Sequence, residues 1–337
     1  MADLTVEYLG LGLKNPLVAS ASPLSRDLDA ALHLEDAGAA ALVMYSLYEE
    51  QIVAEEQRYD RFLEHQALGH GEADSFLPEH PGHQSSLERY LDQIGRLKAR
   101  LDIPVIASLN GVSEAGWIDF ARLIEDAGAD ALELNVYYIA GNADESAADV
   151  ERRYTAVLGH LKRQVALPIA VKLSPQFTSP LHFIGQLQQA GADAIVIFNR
   201  FYQSDIDLAQ RVVEPHLELS RSYESLLRIR WAAMVRGAFE VDLALTGGFH
   251  ESEDVLKGLL AGANTIQLAS ALLQHGPGRL TELLTGMNHW LDENEYESVG
   301  QMMGSMSVAR TADPAAYERH NYLDVLNSFT PPPGVRY

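Results

Sequence analysis

The sequence predicts a (β/α)8 barrel of the α/β class. Four Ala-Gly-Ala turns, at 37–39, 127–129, 190–192 and 261–263, each end a helical stretch and open a short apolar strand. A second strand type alternates with the first: Pro16-Leu17-Val18-Ala19-Ser20, Pro104-Val105-Ile106-Ala107-Ser108, Pro168-Ile169-Ala170-Val171-Lys172 and Val241-Asp242-Leu243-Ala244-Leu245-Thr246. These begin at residues 16, 104, 168 and 241, so each interval holds two strand-helix units and the total is eight strands. Near-continuous apolar strands read as parallel and buried on both faces. Eight of them with intervening helices close into a barrel.

Ahead of the first barrel strand, residues 4–15 alternate weakly and contain Gly10 and Gly12, which suits a hairpin capping the barrel's bottom. Helices are expected after the eight strands in order, at about 25–37, 85–100, 114–127, 146–165, 180–190, 220–238, 253–261 and 277–292. Ser113 and Ser252 read as N-caps of the third and seventh helices, each followed by acidic residues. The connections after strands two, four and six are long, at about 47–84, 137–145 and 199–219. They emerge on the catalytic face of such a barrel, where insertions cover a ligand. A crude length rule gives two domains for 337 residues, but a barrel with insertions occupies this length as one unit. The expectation is one domain over 1–337, with the barrel at about 14–292 and an extension at about 293–337. From Arg310 the tail leaves the barrel pattern, to pack outside or to reach a partner subunit, a homodimer included.

Acidic residues outnumber basic ones 47 to 25, a net charge of -22 that repels nucleic-acid phosphates and anionic membranes. An anionic ligand therefore needs a local positive site built from backbone N–H groups or a placed Lys or Arg. No cysteine is present, which excludes disulfides, cysteine nucleophiles and cysteine-ligated iron-sulfur clusters from this chain. Met1-Ala2-Asp3-Leu4 lacks a signal-peptide pattern, and no apolar run approaches the roughly 20 residues of a membrane span. A cytoplasmic protein is the default expectation.

Strand seven ends in Thr246-Gly247-Gly248 and strand eight in Gln267-Leu268-Ala269-Ser270, the two loops that commonly bind phosphate in a barrel. Gly247 and Gly248 let backbone N–H groups approach an anion, and Ser270 adds a hydroxyl. A tight turn and a helix cap are the plain alternatives. Asn135, Lys172 and Asn199 close strands four, five and six. A lysine at an apolar strand's mouth is costly unless it meets an anion or carbonyl, or neutralises a barrel carboxylate such as Glu133. His65, His70, His80 and His83 fall in the long loop after strand two, in a spacing that fits no standard metal site, so a solvated lid is expected and no metal.

In this order, Asn-Pro-Leu-Val-Ala-Ser-Ala-Ser (15–22), Glu-Leu-Asn (133–135), Val-Lys-Leu-Ser-Pro (171–175), Thr-Gly-Gly (246–248) and Ala-Gly-Ala-Asn-Thr-Ile-Gln-Leu-Ala-Ser-Ala-Leu (261–272) resemble the dihydroorotate dehydrogenase family, closest to its soluble class 1 branch, over about residues 4–300. The resemblance implies an FMN barrel of pyrimidine biosynthesis. Hydride passes from a dihydropyrimidine carbon to flavin while a loop base removes the neighbouring proton. It implies Ala19 and Ser20 along the flavin ring, Ser46 at its edge, and Asn135 facing flavin and substrate. Lys172 is implied at the flavin's pyrimidine end, stabilising negative charge, and Asn199 at substrate or flavin. Gly247, Gly248, Ala269 and Ser270 are implied at the phosphate.

The departures are concentrated on the substrate side. Where the family carries Leu-Ser-Cys-Pro-Asn after Glu-Leu-Asn, with the Cys or a Ser as base, this chain reads Val136-Tyr137-Tyr138-Ile139-Ala140. Tyr138 takes the base's place, and a tyrosine near its reference pKa of about 10 is a poor base unless strongly shifted. Tyr45 replaces a lysine at the end of strand two, Leu77 to Gln84 replace an asparagine-rich loop, and Leu219-Ser220-Arg221-Ser222-Tyr223 replaces a Gly-Gly loop. Losing a charged anchor and several amide partners costs a carboxylated pyrimidine several kcal/mol, at about 1 to 3 for each bond. The expectation is that flavin binds and dihydroorotate is a poor substrate. Tyr45, Tyr137, Tyr138, Arg200, Tyr202 and Arg221 suit an aromatic or anionic small-molecule ligand in its place. Any iron-sulfur relay lies on a separate electron-transfer partner. Two other readings stay open: a flavin-binding subunit without dehydrogenase activity, and an aldolase-like barrel with Lys172 as a Schiff-base lysine.

Overall fold

Eight parallel strands close on themselves in the computed structural model, which describes residues 2–55, 57–58, 84–111 and 114–318, with 322, 325, 327–328 and 330. An antiparallel hairpin comes first, β1 (Val6–Tyr8) and β2 (Leu11–Leu13). The barrel runs β3 (Leu17–Ala19), β4 (Ala41–Val43), β6 (Val105–Asn110), β7 (Ala131–Asn135), β8 (Ile169–Leu173), β9 (Ala194–Ile197), β12 (Asp242–Thr246) and β13 (Thr265–Leu268). Each pairs in parallel with its neighbours, β13 with β3 and β4 with β6, so no edge of the ring stays open. A short β5 (Leu47–Tyr48) extends β6.

The strands are buried on both faces because alternate side chains enter the barrel or meet the helix layer. In β7, Glu133 and Asn135 share a face two residues apart, and in β8 Ala170 and Lys172 do the same. Register sets Glu133 beside Ala170 and Asn135 beside Lys172. The bottom is closed by the hairpin as the sequence suggested: the Leu9 N–H donates to Asp242 Oδ2 at 2.8 Å, where β12 begins. Leu9 sits there at φ 56°, in the left-handed region, as the turn demands.

Helices follow the expected strands with adjusted ends. A 3-10 turn at Pro23–Arg26 precedes helix Leu28–Asp36, and another at Ser222–Glu224 precedes helix Ser225–Ala238. After β13 a separate short helix, Ser270–His275, comes before Arg279–Glu293. Ser252 is the first helical residue rather than the cap, because Asp254 reaches back to accept from the Glu251 and His250 N–H groups. Ser113 lies outside the described residues, as do 59–83 with the four histidines and most of the replaced 77–84 loop.

Within the long connection after β9, where the sequence pattern predicts only loop, stands a two-stranded ribbon, β10 (Gln203–Asp207) and β11 (Val212–His216). After residue 293 the described stretch to 318 packs outside the barrel. Val308 N–H donates to Ala233 O at 3.0 Å, and Met306 N–H to Leu260 O at 2.9 Å. No helix among the described residues is long and apolar enough to cross a membrane. Among the same residues no group of three or more His, Asp or Glu is placed to hold a metal ion.

Candidate active site

The mouths of β3, β8, β9, β12 and β13 surround one cavity, with about 920 Å³ of atom-free space including its open mouth. Ser20, Lys172, Asn199, Gly247, Gly248, Ala269 and Ser270 all line it. Seven of the sequence-derived cofactor residues, from separate stretches of chain, therefore converge. Arg200 also lines the cavity, but its guanidinium is held by the Glu224 carboxylate at 3.0 Å and by the Glu218 carbonyl.

At the inner end a chain of polar groups crosses the barrel. Lys172 Nζ donates to Glu133 Oε1 at 3.0 Å, and Gln267 Nε2 donates to Glu133 Oε2 at 2.8 Å. The Ser20 hydroxyl donates to Gln267 Oε1 at 3.3 Å. Glu133 and Lys172 are 1 % and 5 % exposed, and a buried carboxylate holds its charge only when paired in this way. Lys172 thus faces the cavity and neutralises Glu133 at once.

Asn135 stands one step behind the wall, its Oδ1 accepting from Asn199 Nδ2 at 2.9 Å. This fixes the Asn199 amide with its carbonyl oxygen left for a ligand's N–H. Ala19 is buried at the end of β3, below Ser20.

The outer end is a cradle of donors. Gly247 and Gly248 adopt φ 89° and 92°, so glycine is required there. A Cβ on Gly248 would lie 2.2 Å from Ser225 N, because the turn packs directly on the start of helix Ser225–Ala238. Arg228 of that helix is 5 % exposed, donates to Thr246 O at 3.1 Å and Glu224 O at 2.9 Å, and meets no carboxylate within 4.0 Å among the described residues. Burial lowers its pKa, and its Nη2 would lie 3.0 Å from a Cβ on Gly247. The Glu224 charge opposes this effect only from beyond ion-pair distance. An anion at the Gly-Gly turn would complement the guanidinium.

Three predicted residues lie elsewhere. Ser46 Oγ meets Ser108 Oγ at 2.9 Å between the ends of the second and third barrel strands. Tyr45 lines a separate polar pocket, its ring beneath the Arg26 guanidinium and edge-on to Tyr90. Burial raises the pKa of Tyr45 and of Tyr137, away from the range of a base. Tyr138 lines a third pocket with Tyr154 and Phe177, donates to Glu145 Oε2 at 2.6 Å and is covered by Arg153.

Sequence reasoning missed several contributors. Gln267 was legible as a polar residue inside an apolar strand. Tyr90 gave no signal: its hydroxyl accepts from Ser108 N–H at 2.8 Å and donates to Ser108 O at 3.1 Å, pinning the third barrel strand. Arg228, Ser220 and His250 reach the cradle only through tertiary packing.

The family model described as "Dihydroorotate dehydrogenase" matches residues 3–291. The NAD-dependent dihydropyrimidine dehydrogenase subunit PreA of Escherichia coli (strain K12) is 26% identical over 325 residues, covering 90% of this chain and 76% of that protein. The dihydroorotate dehydrogenase B (NAD(+)) catalytic subunit of Thermoplasma acidophilum is 25% identical over 320 residues, covering 90% and 99%. Dihydroorotate dehydrogenase A (fumarate) of Lactobacillus delbrueckii subsp. bulgaricus is 28% identical over 282 residues, covering 80% and 88%. With a closed barrel, the expected strand-end residues around one cavity and a family match over most of its length, this chain belongs to the dihydroorotate dehydrogenase family.

Proposed function

We propose that the protein is an FMN-dependent oxidoreductase acting on a CH–CH bond of a small planar substrate, with a pocket altered away from orotate. The observation that carries this reading is the two-ended cavity. One end offers the Gly247–Gly248 turn, Ser220 and Ser270 for a phosphate, with Arg228 packed against the turn from the neighbouring helix, and the other offers Lys172 and Asn199 for a polar ring edge. The donor set fits FMN: bound there, the flavin supplies hydride acceptance. Lys172 would then hold positive charge at the ring's pyrimidine end, with the Glu133 ion pair orienting its ammonium. Asn135 fixes the Asn199 amide toward the substrate. Ala19 and Ser20 belong to the ring side of this reading, with Ala269 beside the phosphate. Arg200, which lines the cavity, is its substrate-side candidate, and a separate protein takes up the electrons.

One observation favours a second reading, a flavin-binding subunit without dehydrogenase activity. Tyr138, in the family base's sequence position, points its proton at Glu145 in another pocket. Anaerobic addition of dihydrouracil, dihydroorotate, NADH and NADPH to the FMN-loaded protein separates the two. Bleaching of the flavin within seconds by a dihydropyrimidine other than dihydroorotate supports the enzyme with an altered pocket. Rapid bleaching by dihydroorotate overturns the altered pocket, and no bleaching by any donor favours the subunit.

A further inference from the structure

Ser220 ties together the three loops around the phosphate end. Its N–H donates to Ser270 Oγ at 3.1 Å, and its own Oγ accepts from Gly248 N–H at 3.2 Å. His250 Nε2 lies 3.2 Å from the same oxygen. Ser220 and His250 are 4 % and 7 % exposed. The imidazole is fixed from its backbone on both sides: His250 N–H donates to Asp254 Oδ2 at 3.1 Å, and its carbonyl accepts from Arg279 Nη2 at 2.7 Å.

A hydroxyl has one proton and two lone pairs. With Gly248 N–H on one lone pair, the direction of the Ser220–His250 bond decides what the cavity sees. If Ser220 donates to His250, a lone pair is left facing any phosphate oxygen, which repels it. If His250 donates, both lone pairs are occupied and the Ser220 proton is free for the anion. We propose that His250 is a positioning residue of the phosphate cradle, donating from Nε2 to Ser220 Oγ so that the Ser220 proton is presented to the phosphate. Burial lowers the pKa of His250, which favours the neutral ring, against the opposing influence of Asp254. The donor is thus an Nε2–H tautomer, which a bound anion stabilises. The inference rests on the FMN reading above and names a contributor to its phosphate end.

The test compares FMN with riboflavin, which lacks the phosphate, by quenching of flavin fluorescence on titration into wild type, His250→Leu and His250→Gln. Loss of one hydrogen bond to a charged group lowers the preference for FMN over riboflavin about tenfold in His250→Leu. His250→Gln keeps a side-chain N–H donor and restores most of the preference, while riboflavin affinity stays the same in all three. An unchanged preference in His250→Leu, or equal weakening of both flavins, overturns the positioning role while leaving FMN binding intact. Failure of wild type to bind either flavin overturns both this role and the FMN reading.

Discussion

Substituting Lys172 by Met removes the cation that neutralises a nearly fully buried carboxylate. Lys172 Nζ and Glu133 Oε1 are 3.0 Å apart, an attraction of about 5 to 6 kcal/mol at an effective dielectric near 20. Gln267 remains as a partner for the other Glu133 oxygen, so the carboxylate is stranded but not bare. The net cost of breaking such a pair from one side is about 3 to 5 kcal/mol. Adding Glu133→Gln removes the stranded charge. The neutral amide it introduces can still pair with Gln267, and the double variant regains at least half of the loss. Urea unfolding of wild type, Lys172→Met, Glu133→Gln and the double variant measures the coupling. A cost under about 1 kcal/mol for Lys172→Met, or costs that simply add in the double variant, refutes the buried network as described.

Gly248→Ala forces a Cβ onto Ser225 N at a φ of 92°, and a loss of about 3 kcal/mol is expected by urea unfolding. Tyr90→Phe keeps the ring packing but strips Ser108 of both hydroxyl contacts to its backbone, which costs about 2 kcal/mol in the same assay. Glu55 accepts from Ser86 N–H at 2.7 Å at the start of helix Ser86–Lys98, and the Ser86 hydrogen bonds hold its pKa below the ordinary carboxylate range. A depressed folded pKa gives stability that is present above the unfolded value and lost as pH falls through the folded one. Thermal melts from pH 6 to pH 3 should therefore show wild type losing its advantage over Glu55→Gln across the acid end, and parallel curves would contradict this.

Strand order and most of the cavity's lining were legible in the sequence because each rests on a local pattern. The Ala-Gly-Ala turns place Gly38, Gly128, Gly191 and Gly262 at positive φ, a backbone constraint that any reader of the sequence can find. Gly247, Gly248 and Ser270 were found from strand position alone, and Lys172 from its cost at an apolar strand's mouth. Arg228 was invisible, since Ser-Leu-Leu-Arg-Ile-Arg reads as an ordinary helix face and only packing buries its fourth residue. Ser220 and His250 meet across thirty positions of sequence through a single hydrogen bond. The ribbon at 203–216 escaped notice because Pro215 interrupts one strand and the turn carries Arg211, not glycine, at φ 57°. Tyr138 shows the limit of position-by-position carry-over: Glu145 and Arg153 fix its side chain, and neither belongs to the motif that flagged it.

The most direct measurement is the visible absorption spectrum of the purified protein after incubation with excess FMN and removal of free ligand. Flavin bands near one FMN per chain are expected, depleted in a Ser270→Ala, Gly247→Ala pair that alters the cradle but leaves Lys172 and Asn199 in place. A wild-type protein that comes off the column colourless contradicts FMN binding at this cavity.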